Sequence, residues 1–256
     1  MIRRIPDAVR RRMNLQRQEA LKRATAFEGR LLRLRTNEIK RVLQDLEGVP
    51  FKHWADYSAA MIEEDYLPKF YLDLYVNVGT PVARETVNNF IGRKSDIWED
   101  DIRNWVRTNA GRKITLVKGT LKEWVRNKVG EAMSDPTLGV EQMNKNLYKK
   151  VLSEWGEVAP WQTRRIIQTE ALTASSVAGF ESVHSLGIPF TKTWSTSGGS
   201  NVRDAHAEAE GQTVDADEPF TVGSELMMYP HDDSLGASAA NIINCSCTHI
   251  ALPKEL

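Results

Sequence analysis

The hydrophobic periodicity of this chain changes once, at Gly187, and no other feature constrains the fold as strongly. Before Gly187, apolar residues recur at helical spacing; Leu32, Ile39 and Leu43, for example, fall on one helical face. After it, short alternating runs are separated by Gly, Ser, Asp and Pro, which is typical of strands and turns. Strands are predicted at 190–195, 212–214 and 242–252. The sequence therefore predicts an α+β fold, with a mainly helical N-terminal body and a small, loop-rich mixed β domain at the C-terminal end.

Glycine and proline residues indicate where segments end. Gly48-Val49-Pro50 interrupts the first helical pattern, so residues 1–50 are predicted to form a basic amphipathic helix or arm. A helical body is predicted at 51–186. Gly187 and the nearby Pro189 end its last helix, and the C-terminal α+β domain is predicted at 187–256. Further helix breaks are predicted at Gly79-Thr80-Pro81, near Gly92, near Gly111 and at Pro160.

The net charge of zero conceals a strong asymmetry along the chain. Residues 1–41 contain thirteen basic against four acidic side chains, whereas residues 186–256 contain three against ten. This asymmetry predicts a basic arm that binds double-stranded DNA or an acidic protein; the alternative is a solvated helix face. The candidate residues are Arg3, Arg4, Arg10, Arg11, Arg12, Arg17, Lys22 and Arg23. Because arginine neutralises phosphate without reading bases, such binding would be sequence-independent and salt-sensitive.

Apolar runs and cysteines constrain the cellular location. No stretch approaches the roughly 18 to 20 apolar residues of a membrane span, and the first residues lack the apolar run of a secretory signal. A disulfide between Cys245 and Cys247 would close a small, strained ring, so reduced thiols are expected. The sequence predicts a protein without a membrane partner that stays where it is made.

The two cysteines also suggest a metal site. Residues two apart in a strand point the same way, so Cys245, Cys247 and His249 are predicted to share one face. Thiolate and imidazole are zinc ligands, and His206 or His231 could complete the set from a neighbouring loop. A structural zinc would help to stabilise a domain with little core. The alternative is that both cysteines are simply buried as small hydrophobic residues.

Most of the other chemistry-bearing residues follow a definite order. Arg165 and Glu170 lie on a predicted helix, and they precede four further elements: Arg203 with His206, Gly211, Tyr229-Pro230, and Asn244-Cys245-Ser246-Cys247. This order resembles the phage Mu protein F-like head morphogenesis family, whose signature runs Asp-x-Arg-x-x-His, Gly, aromatic-Pro, Asn-Cys-Arg-Cys. The strong part of the resemblance covers about 161–252. Asn201 and Ser246 depart from the family's Asp and Arg, so roles that need those two charges do not carry over.

The resemblance implies a non-catalytic minor head protein of a tailed bacteriophage. Such a protein associates with the portal protein, and with capsid or scaffolding proteins, during procapsid assembly in the host cytoplasm. In the virion it is expected in the capsid interior near the portal, where it contacts packaged DNA or affects DNA ejection. The resemblance places His206, Cys245 and Cys247 at the structural centre of the C-terminal domain, and Arg165 and Glu170 at its contact with the helices. The structural motif residues also include Arg203, Tyr229, Pro230 and Asn244.

Three other functions remain open from the residues. Asp232 and Asp233, with His206 and His231, could orient a metal ion for hydrolysis, although Asp-Asp-Ser after Tyr-Pro is typical of a turn. A second enzyme class is suggested because Arg165, Ser195-Thr196-Ser197 and Glu208-x-Glu210 follow the order of ADP-ribosyltransferases. The short spacing between the last two of these elements leaves little room for that fold. A nonspecific DNA-binding protein is the third alternative.

Overall fold

A computed structural model describes residues 5–92, 98–135 and 143–254. Within them the helices are α1 (Asp7–Gln44), α2 (Trp54–Ala60), α3 (Leu67–Ile91), α4 (Trp98–Met133), α5 (Met143–His184), α6 (Asp204–Ala209) and α7 (Ala239–Ile242), with a short 3-10 helix at Phe51–His53. The strands are β1 (Phe190–Ser195), β2 (Thr213–Asp215), β3 (Phe220–Val222), β4 (Glu225–Met227) and β5 (Thr248–Pro253). The predicted α+β class is confirmed. None of the described helices is long and apolar enough to cross a membrane.

Three of the predicted helix boundaries are confirmed by backbone geometry. Gly48, Gly92 and Gly187 have φ values of 87°, 69° and 64°, and they follow the ends of α1, α3 and α5. Glycine has no Cβ, so it adopts this left-handed conformation without steric cost and ends a helix readily.

The other predicted breaks were wrong, because α3 continues through Gly79-Thr80-Pro81, α4 through Gly111 and α5 through Pro160. In α3 the reason is burial, since Val78, Val82 and Ala83 are at most 5% exposed. A proline inside a helix costs about 3 kcal/mol, whereas each large apolar side chain that is buried contributes about 1.5 to 3 kcal/mol. Gly79 has a packing role, because a Cβ there would lie 3.1 Å from the Cβ of Ala178 on α5.

The strands form two small antiparallel sheets. In the first, the order is β2-β1-β5, and Trp194 of β1 stands opposite His249 of β5. The second is the hairpin β3–β4, which the sequence did not predict. The predicted strand at 242–252 was wrong in its first half, where α7 ends at Ile242 and β5 begins only at Thr248.

Contacts between residues divide the chain into two compact units. Unit 1 draws its described residues from Met1–Ala26, Tyr71–Arg107 and Arg165–Leu256, and unit 2 from Phe27–Phe70 and Thr108–Arg164. The division of the sequence into segments 1–50, 51–186 and 187–256 remains a prediction.

Each unit has its own core. In unit 2, helices α1, α4 and α5 contribute a cluster that includes Leu43, Leu121 and Trp155, each at most 1% exposed. In unit 1, every residue of α5 from Glu170 to Phe180 is buried, so this stretch of the helix is enclosed on all sides. A second cluster of unit 1 joins Trp194 and Phe220 to the two cysteines. The predicted motif residues from 165 to 249 therefore lie in and around the core of unit 1.

Candidate functional site

Three of the four predicted metal ligands lie together in the core of unit 1. The Nδ1 atom of His206 is 3.3 Å from Sγ of Cys247 and 3.4 Å from Sγ of Cys245. All three side chains are at most 3% exposed, and their ligand atoms lie within 4.8 Å of one another. No other group of three or more His, Cys, Asp or Glu residues in the described ranges has a geometry suited to a metal ion.

The ring of His206 is held in one orientation by its second nitrogen. His206 Nε2 lies 3.1 Å from Oδ1 of Asn241, and Asn241 Nδ2 donates to Oε2 of Glu225 at 2.7 Å. Hydrogen bonds from Ser238 and Asn241 hold the pKa of Glu225 below its usual value, so its carboxylate accepts only. Asn241 must then present its oxygen to His206. It follows that Nε2 carries the proton and that the lone pair of Nδ1 points at the two sulfur atoms.

Both cysteines are reduced and buried, as expected from their spacing. The side-chain hydrogen bond from Cys247, with a contribution from His231, holds the pKa of Cys245 well below its usual value, although burial opposes this. The same hydrogen bond and burial raise the pKa of Cys247. The backbone N–H of Cys247 also donates to Sγ of Cys245 at 3.3 Å. Cys245 is therefore the thiol that ionises first.

The segment before the cysteines is fixed at three points. Asn244 has a φ of 56°, a left-handed conformation that asparagine adopts more easily than most residues. Its backbone N–H donates to Oγ1 of Thr169 on α5 at 3.2 Å, and the Arg203 guanidinium donates to the carbonyl of Ile243. His231, with a φ of 72°, contacts the Cys245 carbonyl through Nε2 at 2.9 Å. These contacts explain why Arg203 and Asn244 belong to the motif.

The structure separates His249 from the other predicted ligands. Cys245 and Cys247 lie in an irregular segment and only His249 lies in a strand, so the argument from strand alternation was wrong. The ring of His249 instead packs beside Phe180 and Tyr229, with centroid distances of 6.5 and 6.3 Å. Its ring is fully buried, which lowers the pKa of His249 to about 3, with smaller effects from Lys192 and His231.

The remaining motif residues have packing roles. Tyr229 is buried, which raises its pKa, and Pro230 is buried beside it. Glu170 accepts a hydrogen bond of 2.7 Å from the Tyr75 hydroxyl of α3, so it joins two helices. Arg165 lies half-buried on α5. Thr169, the residue before Glu170 in the same helix motif, makes a contact with the cysteine segment.

The acidic residues after Tyr229-Pro230 form a turn. Oδ2 of Asp232 accepts hydrogen bonds from the backbone of Met228 and the hydroxyl of Ser234, and Oδ1 accepts from the Ser234 backbone. The alternative interpretation of a hydrolytic metal centre placed Asp232 beside His206, but the described metal-ligand cluster contains no carboxylate.

The residues of the ADP-ribosyltransferase pattern are engaged in contacts within unit 1. The carboxylate of Glu210 pairs with Arg10 of α1 at 2.8 Å and accepts a hydrogen bond from the Thr196 backbone. Glu208 is exposed on the short helix α6, and Ser195 is buried at the end of β1.

The predicted basic arm is a packed helix rather than a projecting segment. Met13, Ala20 and Ala24 of α1 are each 1% exposed. The predicted amphipathic helix is present, but it is not a separate arm, because the apolar positions of 7–24 recur at helical spacing and supply a face to the core.

The eight candidate cations therefore differ in exposure. Arg10 pairs with Glu210, and Arg17 is half-buried and donates to the Thr196 carbonyl at 3.3 Å. Burial lowers the pKa of Arg17, and the two cysteines and Glu210 oppose this. Arg12 is partly exposed; Arg11, Lys22 and Arg23 are exposed; Arg3 and Arg4 lie outside the described residues.

The sequence is similar to a known protein family and to parts of longer proteins. Residues 124–250, about half of the chain, match the family described as Phage Mu protein F like protein. An NAD(+)-arginine ADP-ribosyltransferase, EFV, of Enterococcus faecalis is 33% identical over 102 residues, which are 39% of this chain and 20% of that enzyme. The uncharacterized protein YqbB of Bacillus subtilis is 37% identical over 83 residues, or 31% of this chain and 27% of YqbB. The chain thus spans a fifth to a quarter of these relatives, and no solved structure matches it.

Proposed function

Because this chain belongs to the Phage Mu protein F-like family, we propose that it is a structural head morphogenesis protein of a bacteriophage, which associates with the portal during assembly and contacts packaged DNA. The family match over residues 124–250 is the observation that carries this proposal.

The burial of the motif residues and their contacts with one another favour a structural role over catalysis. His206, Cys245 and Cys247 are at most 3% exposed, and Glu170 is 6% exposed. A catalytic residue has to reach a substrate, whereas these side chains bond to one another and to neighbouring helices. Their common effect is to hold unit 1 in one conformation, as an assembly component requires.

The enzyme name of one relative does not outweigh this argument. The match covers only 20% of that ADP-ribosyltransferase, so most of the enzyme has no counterpart in this chain. Glu210, the last residue of the pattern that suggested such an enzyme, is already bound to Arg10 and Thr196. ADP-ribosyltransferase activity is therefore not expected, and the portal experiment below also measures it.

The proposed contact with DNA is assigned to the exposed cations of α1. Arg11, Lys22 and Arg23 face solvent, and Glu19 lies 3.9 Å from Lys22 in a surface ion pair that contributes little. Guanidinium and ammonium groups on an exposed helix bind phosphate without base recognition. This matches the requirement of a head protein, which meets packaged DNA of every sequence.

Association with the portal is tested by co-expressing the chain with the portal protein of the same phage. The expected result is a complex that co-purifies, together with detection of the chain in purified virions by mass spectrometry. Absence from both the complex and the virion would contradict the proposal, as would turnover of NAD+ or transfer of ADP-ribose to arginine by the purified protein.

Binding to DNA is tested with a charge-reversal variant of α1, Arg11→Glu/Lys22→Glu/Arg23→Glu, and a matched control at exposed lysines outside α1, Lys52→Glu/Lys145→Glu/Lys149→Glu. The affinity of the native chain for double-stranded DNA should fall steeply between about 50 and 200 mM salt. The α1 variant should reduce the slope of log affinity against log salt by about two to three, because each phosphate contact contributes about 0.9. Equal slopes for the two variants would remove α1 from DNA binding. Tight DNA binding without portal association would instead indicate a freestanding DNA-binding protein.

A further inference from the structure

We propose that His206 Nδ1, Cys245 Sγ and Cys247 Sγ bind one zinc ion, which joins α6 to the segment before β5 and stabilises unit 1. The zinc ion would act on the stability of the fold, independently of portal or DNA binding.

The two nitrogen-to-sulfur distances fit zinc. Zinc binds sulfur at about 2.3 Å and nitrogen at about 2.0 to 2.1 Å in a tetrahedral arrangement, so ligand nitrogen and sulfur atoms should be about 3.5 Å apart. The observed nitrogen-to-sulfur distances are 3.3 and 3.4 Å. Only a shift of a few tenths of an ångström separates these values from a bound geometry.

Hydrogen bonding alone does not account for the arrangement. The tautomer fixed by Asn241 leaves Nδ1 with one lone pair, yet two sulfur atoms lie at contact distance from it. One lone pair accepts one thiol proton well, so the other thiol can donate only to the neighbouring sulfur, which is a weak acceptor. A metal ion satisfies all three atoms at once.

The groups around the three ligands are those expected of a metal site. A histidine that binds zinc usually donates its other N–H to an acceptor that fixes the ring, and Asn241 backed by Glu225 has this position. The N–H of Cys247 donates to Sγ of Cys245, which stabilises a thiolate. Arg17 adds positive charge near both sulfurs.

The elements around the three ligands are short. Strands β2, β3 and β4 have three residues each, and α6 and α7 have six and four. Such short elements are commonly held together by a metal or a disulfide. Three protein ligands leave a fourth tetrahedral position for water or another donor.

The test is the metal content of the intact protein, produced in cells supplied with zinc and purified without chelator. Elemental analysis should give about one zinc per chain for the native protein. Cys245→Ser, Cys247→Ser and His206→Ala should each lose it. Ser246→Ala and His184→Ala are the matched controls, since Ser246 lies between the cysteines and His184 is an exposed histidine; both should retain the metal.

Cobalt substitution supplies a second readout, and the native chain gives its main signal without any variant. After removal of zinc, addition of Co²⁺ to the native chain should produce thiolate-to-cobalt absorption, and Cys245→Ser or Cys247→Ser should weaken it. Asn241→Leu should keep both thiolate ligands but lower metal affinity by about 10- to 100-fold. A folded native protein without zinc and without the cobalt absorption would overturn the proposal. So would metal binding that survives loss of either cysteine.

Discussion

At the scale of single residues, the burial of His249 makes the stability of the protein depend on pH. The residue is 6% exposed, and neither ring nitrogen has a hydrogen-bond partner among the described residues. Burial lowers the pKa of His249 to about 3, with Lys192 and His231 contributing positive charge nearby. The unfolded chain has the ordinary value of about 6.5, so between these two pKa values the unfolded state binds the proton more tightly. The contribution of neutral His249 to the free energy of unfolding should therefore be complete above about pH 6.5 and should be lost progressively as the pH falls toward 3.

We expect the native protein to lose about 2 kcal/mol of unfolding free energy through His249 between pH 7 and pH 5. His249→Phe keeps an aromatic ring beside Phe180 and Tyr229 but removes the titration, so it should lose less over this range. Urea unfolding at both pH values measures the difference. The control is His53→Gln, which changes an exposed histidine and should keep the native profile. Parallel losses in the native protein and His249→Phe would show that His249 is not the titrating group.

A second prediction for single residues concerns the buried ion pair between Arg35 and Glu64 in unit 2. Their side chains are fully buried, and Arg35 Nε donates to Oε1 of Glu64 at 2.8 Å. Arg35→Met leaves a buried carboxylate without its partner and should cost about 3 to 5 kcal/mol. Combining it with Glu64→Gln removes both charges and should recover part of that loss. Arg126→Met breaks the exposed pair with Asp56 and should cost at most about 1 kcal/mol. Chemical denaturation of the four proteins gives these differences; a double variant no more stable than Arg35→Met would contradict the argument.

At the scale of elements, α1 shows how a charged segment becomes part of a core. Met13 is 1% exposed and Leu15, on the opposite side of the helix, is 62% exposed. Met13→Ala should therefore destabilise the protein by about 2 to 5 kcal/mol, whereas Leu15→Ala should change stability by less than about 0.5 kcal/mol. Thermal unfolding of both variants provides the measurement. Similar effects for the two substitutions would mean that the helix does not pack through the Met13 face.

The same element explains where interpretation of the sequence failed. Arginines at positions 10–12 and 17 dominate the composition of this segment, and they suggested a basic arm. The packing depends on Met13, Ala20 and Ala24, and alanine gives a weak signal of burial in a sequence. In α3 and α5, Pro81 and Pro160 were interpreted as breaks because local propensity was the only information, and tertiary packing overrides it.

At the scale of the whole molecule, the sequence predicted the class of the fold and the identity of the central residues. The change of period at Gly187 located the start of the strands, and the order of His206, Cys245 and Cys247 predicted that they lie together. It did not predict that His249 would be excluded, because the cysteines lie outside the strand. Asn241 and Glu225 were missed since their contact with His206 depends on the tertiary fold.

Unit 1 takes its described residues from three separate stretches of the chain, the last of which begins at Arg165. On the ribosome, the stretches within 1–26 and 71–107 emerge first, and they cannot bury their apolar faces until α5 and the strands have been made. At about 5 to 20 residues per second this delay lasts roughly 10 to 40 seconds. Unit 2 is complete once Arg164 has emerged, so it can fold while unit 1 still lacks its central helix segment. The first and last stretches of unit 1 therefore fold together, and a nascent chain released before Arg165 has been made carries exposed hydrophobic surface that chaperones recognise.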